Sequence, residues 1–300
     1  MPAATATANV IVEKLESTRD LPTVPAVLLP LLKHMEKPLE QVDIHQVVEL
    51  ISQDKSLAGR CLQVANSPLF GVRREVETIQ SAVVTLGLER VQQIAVSCSL
   101  LKLMPAISVG VNPSVFWAHS LACAMVAREL ANKIGFADSA KAYAAGLLHD
   151  IGIVAVLWVA PHEFRRTYEE ARNNRIPLHE AEDRVLGITH CESGKIIART
   201  WNLPLEIVQV VAGHHAPSTL HGDHALASIV GLSDVLCRFG GLGYGYLEDK
   251  QTSVTEDPAF GRLAMRFPAL RPFDLARFTG EMQTILDEIR LLISRIYGSY

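Results

Sequence analysis

The chain has 300 residues, 49% hydrophobic and 20% charged, with a net charge of −4. That composition excludes a disordered chain and suits one or two cores. The negative balance gives no broad attraction for nucleic acid, so direct nucleic-acid binding is not expected.

No uninterrupted apolar run reaches the roughly 18–20 residues that span a bilayer, and Met1 to Ala8 lacks the basic start and apolar core of a signal peptide. Neither membrane insertion nor export is expected, which leaves the cytoplasm. Cys61, Cys98, Cys123, Cys191 and Cys237 are scattered, with no C-x-x-C pair, and read as buried reduced thiols.

In chain order, residues 1–19 form an N-terminal extension. Asp20-Leu-Pro-Thr-Val-Pro25 punctuates the start of a first helical lobe, residues 20–108. Apolar spacing predicts helices over Ala26–Met35, Ile44–Ser52, Ser56–Ala65, Ile79–Leu86 and Leu88–Leu103. Asn66-Ser-Pro-Leu-Phe-Gly71 reads as a turn, with Asn66 and Ser67 bonding the backbone.

Pro105 to Pro113 breaks the pattern and marks the boundary of a second lobe, residues 109–239. Its predicted helices cover Val115–Lys133, Ser139–Val159, Pro161–Asn173, Leu178–Leu186, Cys191–Thr200, Pro204–Ala212 and Leu226–Phe239. No run alternates long enough for a strand. Glu180, Glu182 and Asp183 read as a solvated helix face, and Phe70, Trp117, Trp158 and Trp201 as core or lobe-interface anchors.

Residues 240–300 form a C-terminal extension. Gly240-Gly-Leu-Gly-Tyr-Gly-Tyr246, with the polar stretch to Asp257, reads as a mobile loop; it lacks the Gly-Lys-Ser/Thr ending of a phosphate loop. Ile285, Ile289, Leu292 and Ile296 mark one face of a terminal helix.

The second lobe concentrates histidine and aspartate: His119, His149-Asp150, His190, His214-His215 and Asp234. A buried unpaired carboxylate at Asp150, within the apolar stretch AGLLHDIGIV, would cost several kcal/mol or so unless a cation or donors answer it. Imidazole and carboxylate together suit Fe, Mn or Zn, and convergent helices can gather distant ligands. Each residue also has a plainer reading: His119 as a core histidine, His149-Asp150 as an internal polar network, Asp234 bonded to a nearby backbone or histidine. His34, His45, His162, His179, His221 and His224 read as surface or packing residues.

The ordered histidine, His-Asp doublet and distal aspartate resemble the HD superfamily, through His119 in FWAHS, His149 and Asp150 in LLHDIG, and Asp234 in LSDVL. That resemblance implies that these four hold a metal, with Asp150 able to bridge to a second. His190 and His214 are similar to the extra histidines of its binuclear members, giving one or two ions.

A narrower resemblance, over most of residues 20–237, is to HDOD domains. LPTVP, LISQDKSLAGRCLQVANSPLFG and QSAVVTLGLERV carry it in the first lobe, and FWAHS, AGLLHDIG, GITHCESGKIIARTWNLP and GHHAP in the second. It implies an all-α, two-lobed architecture with an HD-like second lobe and a bacterial regulatory output module acting through a signalling protein partner. The family's usual Asp-Pro is Asp54-Lys55 here, a departure expected to matter little to the structure.

Many HDOD domains have lost the HD ligands, and this chain has not. The alternative implied by retention is metal-dependent phosphohydrolysis of a nucleotide or other phosphoester. His215 would then contact phosphate or orient a ligand, and Lys195 is a weaker phosphate candidate. Cyclic di-GMP hydrolysis of the HD-GYP kind is disfavoured, because Ile153 stands where that branch has lysine and the GYP signature is absent.

Overall fold

Asp43 and Asp54 stand at the entries of two early helices, where each side chain accepts backbone N–H groups left free by the first turn. The structure, a computed structural model, describes residues 2–17, 21–105, 111–217, 224–249, 254–270 and 275–297, and among them there are helices and no strands. Asp20, part of the expected lobe boundary at 106–110, and His221 lie outside the described residues, as does the side chain of Ile296.

Helix α1, Pro2–Ser17, falls in the N-terminal extension, for which no helix was expected. Its Ile11 and Leu15 are fully buried, and Lys14 Nζ donates to the Val159 carbonyl at 2.8 Å, so α1 packs on the second lobe. The first lobe comprises α2 (Leu28–Met35), α3 (Ile44–Ser52), α4 (Lys55–Ala65), α5 (Ile79–Leu86) and α6 (Leu88–Leu100). Lys55 opens α4 at a position whose N–H is spare in any helix, so replacing the family's proline there leaves the Asp54 cap intact. Asn66 clamps the backbone of Val76 through two bonds of 2.9 Å, the turn role its type suggests.

The second lobe runs through α7 (Pro113–Ile134), α8 (Ser139–Leu148), α9 (Ile151–Val159), α10 (Pro161–Asn174), α11 (Leu178–Val185), α12 (His190–Thr200), α13 (Leu205–Gly213) and α14 (Ala225–Phe239). The helix predicted over Ser139–Val159 is not continuous. His149 and Asp150 interrupt it, with Asp150 at φ −100°, ψ 15°. That stretch is long and apolar enough to cross a bilayer by composition, but 94% of its most apolar window is buried inside the fold.

Helices α15 (Pro258–Arg266) and α16 (Leu275–Tyr297) follow, α16 lying along α7 and the Pro68–Phe70 turn. Buried side chains of both lobes and the extension form one contiguous core. Trp117 and Trp201 are buried in it as anchors; Trp158 is 39% exposed but ties its indole N–H to the Leu103 carbonyl at 2.6 Å. All five cysteines are buried and free.

Candidate metal centre

The site forms where helices of the second lobe end or begin. His149 closes α8, Asp150 opens α9, His190 is the first residue of α12, and His214 closes α13. Helix α7 supplies His119 and α14 supplies Asp234 from their interiors. The α12 entry is fixed by a capping box in which Thr189 and Glu192 satisfy each other's backbone N–H groups.

Close packing brings these ends together. Gly152 and Gly194 let α9 and α12 meet backbone to backbone: a Cβ on Gly152 would fall 1.9 Å from the His190 carbonyl oxygen. The glycine of the His-Asp-Ile-Gly stretch is therefore required by the distance between two helices.

His119, His149, Asp150, His190 and Asp234 are each 0% exposed, and His214 is 2%. Four imidazoles share one orientation rule. Nδ1 of His119 lies 2.7 Å from the Leu242 carbonyl, that of His149 2.7 Å from the Gly146 carbonyl, that of His190 2.7 Å from Glu182 Oε2, and that of His214 3.2 Å from the Val210 carbonyl. Each Nδ1 thus carries the proton and each Nε2 presents a lone pair.

Those four Nε2 atoms converge on one carboxylate. His149 and His119 stand 3.0 and 3.4 Å from Asp150 Oδ2, while His190 and His214 stand 3.4 and 3.5 Å from Oδ1. His119 Nε2 is also 3.3 Å from Asp234 Oδ1. Lone pairs facing a carboxylate repel unless positive charge lies between them, and among the described residues His149 Nε2, His214 Nε2 and Asp150 Oδ1 make no hydrogen bond.

Without a metal, protons supply that charge. Burial pushes His119 down, but hydrogen bonds to Asp150 and Asp234 carry its pKa up to about 10. His214 likewise rises to about 10, with the Cys191 and Asp150 charges outweighing burial. Burial raises the Asp150 and Asp234 carboxyls, yet interactions led by His149 and by the Arg238 charge, respectively, hold them well below the usual range, while burial pushes His149 itself down.

The donor set fits divalent cations equally well: imidazole nitrogens with orienting partners on their far side, and a carboxylate with two oxygens facing two pairs. On the Oδ2 side stand His119, His149 and Asp234; on the Oδ1 side stand His190 and His214, with His215 Nε2 3.0 Å from His190 Nε2. The structure therefore brings together His119, His149, Asp150, His190, His214, His215 and Asp234. Lys195 is exposed on α12, away from the cleft lining.

Several participants were not foreseen. Glu182, read as part of a solvated face, is 0% exposed and accepts from both the backbone N–H and the Nδ1–H of His190, each at 2.7 Å. Helical periodicity puts it on one face with Glu180 and Asp183 but does not reveal that His190, at the start of α12, lies against it. Cys123 lies 3.6 Å from His119 Nε2, and Cys191 3.8 Å from His214 Nδ1.

Residues 240–249, read as part of a mobile loop, are tied to the second lobe in the structure, and residues 250–253 of that reading lie outside the described residues. The Leu242 carbonyl accepts from His119, Tyr168 donates to the Tyr244 carbonyl at 3.0 Å, and the Tyr244 hydroxyl donates to Asp150 Oδ2. Arg238 grips Asp234 through Nε and Nη2 at 3.1 and 3.0 Å and Glu248 at 2.8 Å. A cleft of about 440 Å³ opens beside the centre, lined by His214, His215, Asp234, Arg238 and Arg262 among others. His179 also lines it, its ring centroid 4.3 Å from that of His215.

Comparison with known proteins places this geometry in context. The sequence pattern of the HDOD domain family matches residues 21–217. A structure of an HDOD domain protein of unknown function from Geobacter sulfurreducens is 27% identical, with a TM-score of 0.84 over 98% of this chain and 99% of that one. Two others show the same fold. A Shewanella amazonensis protein provisionally named a phosphohydrolase is 21% identical, with a TM-score of 0.70 over 96% of this chain and 98% of that one. A Marinobacter aquaeolei protein provisionally named a signal transduction protein is 20% identical, with a TM-score of 0.70 over 96% of this chain and 66% of that one. An uncharacterized Treponema pallidum protein is 28% identical over 225 residues, 73% of this chain, and the chain spans only 42% of that protein's length.

Proposed function

This chain belongs to the HDOD domain family, and we propose that it is a cytoplasmic signal-transduction output module whose second lobe holds a centre for one or two divalent ions. The convergence of four Nε2 atoms on Asp150, each Nδ1 tied to an oxygen, carries this reading. His119, His149, Asp150 and Asp234 would hold one ion; His190 and His214, with Asp150, a second. Fe, Mn and Zn suit those donors. Regulation would pass to a signalling protein partner.

The cleft favours a second reading, hydrolysis of a nucleotide or other phosphoester. Bound cations there would lower the pKa of a water and neutralise charge on phosphate oxygens. His215 and Arg262 both line the cleft, and Arg262 Nε makes no hydrogen bond among the described residues, which supports a role for the two in orienting an anion.

Elemental analysis of protein purified without chelator or metal-affinity resin tests the centre. Near-stoichiometric Fe, Mn or Zn is expected in the parent and none in folded Asp150→Ala or His119→Ala. A parent that is metal-free and refuses added ions would defeat the reading. Metal-dependent turnover of a generic phosphodiester, abolished in Asp150→Ala, would favour the enzyme; a partner complex that survives Asp150→Ala would favour the output module alone.

A further inference from the structure

We propose that the phenol oxygen of Tyr244 is a ligand of the metal centre on the Asp150 Oδ2 side, so that the segment following α14 completes the site. The inference rests on the metal-centre reading above and extends it to a residue outside the span matched by the HDOD pattern, residues 21–217.

Position is the first argument. Tyr244 is 4% exposed, and its hydroxyl donates to Asp150 Oδ2, the oxygen that already faces His149 Nε2 at 3.0 Å and His119 Nε2 at 3.4 Å. The phenol oxygen thus shares one small volume with two imidazole lone pairs and a carboxylate oxygen. Its ring packs against His119, with centroids 4.8 Å apart.

Anchorage is the second. The Leu242 N–H donates to the Cys237 carbonyl at 2.9 Å, and the Leu242 carbonyl accepts from His119. Tyr168 holds the Tyr244 carbonyl, and Tyr246 donates to the Ile176 carbonyl at 3.0 Å. Gly241 and Gly245 adopt φ of 74° and 88°, which side chains resist, and so allow the chain to turn inward between them. Gly243 and Gly245 line the cleft while Tyr244, between them, does not.

Chemistry is the third. In the metal-free protein Asp150 Oδ2 satisfies the Tyr244 hydroxyl, and it is the position of its oxygen beside two imidazoles and that carboxylate that suits a cation. Phenol oxygen joins imidazole and carboxylate as a donor to iron, as tyrosine does in some haem proteins. On ligation the O–H bond breaks, its proton passes to solvent, and an oxygen–metal bond forms, with no electron transferred.

A phenol then stands beside Asp150 Oδ2, while Asp234 from that side and His214 and His215 from the Oδ1 side line the cleft.

The test uses the full chain, stripped of metal, loaded anaerobically with ferrous iron and then oxidised in air, with iron measured in each sample. Phenolate bound to ferric iron absorbs in the visible range by ligand-to-metal charge transfer. The parent should become coloured; Tyr244→Phe should keep iron and its helical circular dichroism but lose the band completely; Tyr246→Phe should keep the band. A parent that retains iron without the band, or a band that persists in Tyr244→Phe, overturns this inference and leaves the metal centre standing. A parent that retains no iron overturns this inference, and one that takes up neither iron nor added manganese or zinc overturns both.

Discussion

One methyl group at Gly152 probes whether the contact of α9 with α12 sets the geometry of the centre. A Cβ there would lie 1.9 Å from the His190 carbonyl oxygen and 2.6 Å from the Gly194 nitrogen. An ordinary C···O approach is about 3.3 Å, so the helices must part by about 1.4 Å. Both obstacles are backbone atoms and cannot rotate aside. Behind α12 there is no slack, because a Cβ on Gly194 itself would meet Val211 of α13 at 2.6 Å.

Overpacking that side chains can absorb costs about 1–3 kcal/mol. With backbone on both sides, Gly152→Ala should cost about 3 kcal/mol or more, partly masked by the ~1 kcal/mol that alanine gains over glycine in a helix. Because His190 begins α12, the shift should also cost metal on the Oδ1 side. Urea unfolding, read as midpoint and slope, and elemental analysis of the same preparation measure the two effects. Gly59→Ala is the control: that glycine is exposed in α4 with nothing within 4 Å, so the substitution should stabilise by about 0.5–1 kcal/mol. A Gly152→Ala protein within about 0.5 kcal/mol of the parent and with full metal content would refute the packing argument.

Glu182→Gln removes the charge that holds His190 in register, and should weaken metal affinity about 10- to 100-fold with little change in helix content, measured by competition with a chromophoric chelator. Asp150→Ala leaves the buried imidazoles without their shared carboxylate; besides losing metal, the apo protein should unfold about 3–5 kcal/mol more easily, and unchanged chemical stability would contradict the charge pairing. In the metal-free protein His119 and His214 titrate near 10 against 6.5 for ordinary histidine. Their contribution is complete below the unfolded value and is lost as pH climbs from there toward the folded one, so apo Tm should fall over that interval while metal affinity rises as protons are displaced. A flat apo profile there would count against the cluster. Asp150 and Asp234 act oppositely at acid pH: their stabilisation is present above the unfolded value of 3.8 and fades as pH falls below it.

The sequence alone marked most of the helices, and through the resemblance to the HD superfamily it pointed to the histidines and aspartates of the candidate centre. Apolar residues at helical spacing marked most of the elements, and the ordered signature of His119, His149-Asp150 and Asp234, with His190 and His214, named residues that the fold brings together. Those signals are local or linear, and one chain displays them without folding.

Tertiary structure decided what surrounds them. Apolar spacing across Ser139–Val159 conceals the break at His149-Asp150, because an apolar run on both sides of a junction still reads as one helix. Glu182 differs from its solvated neighbour Asp183 only in what packs over it. Leu242 meets His119 across 123 residues of sequence, and Tyr244 meets Asp150 across 94. Helical periodicity relates residues three or four apart; contacts at such separations arise only when packed helices and a glycine-turned segment converge on the same carboxylate.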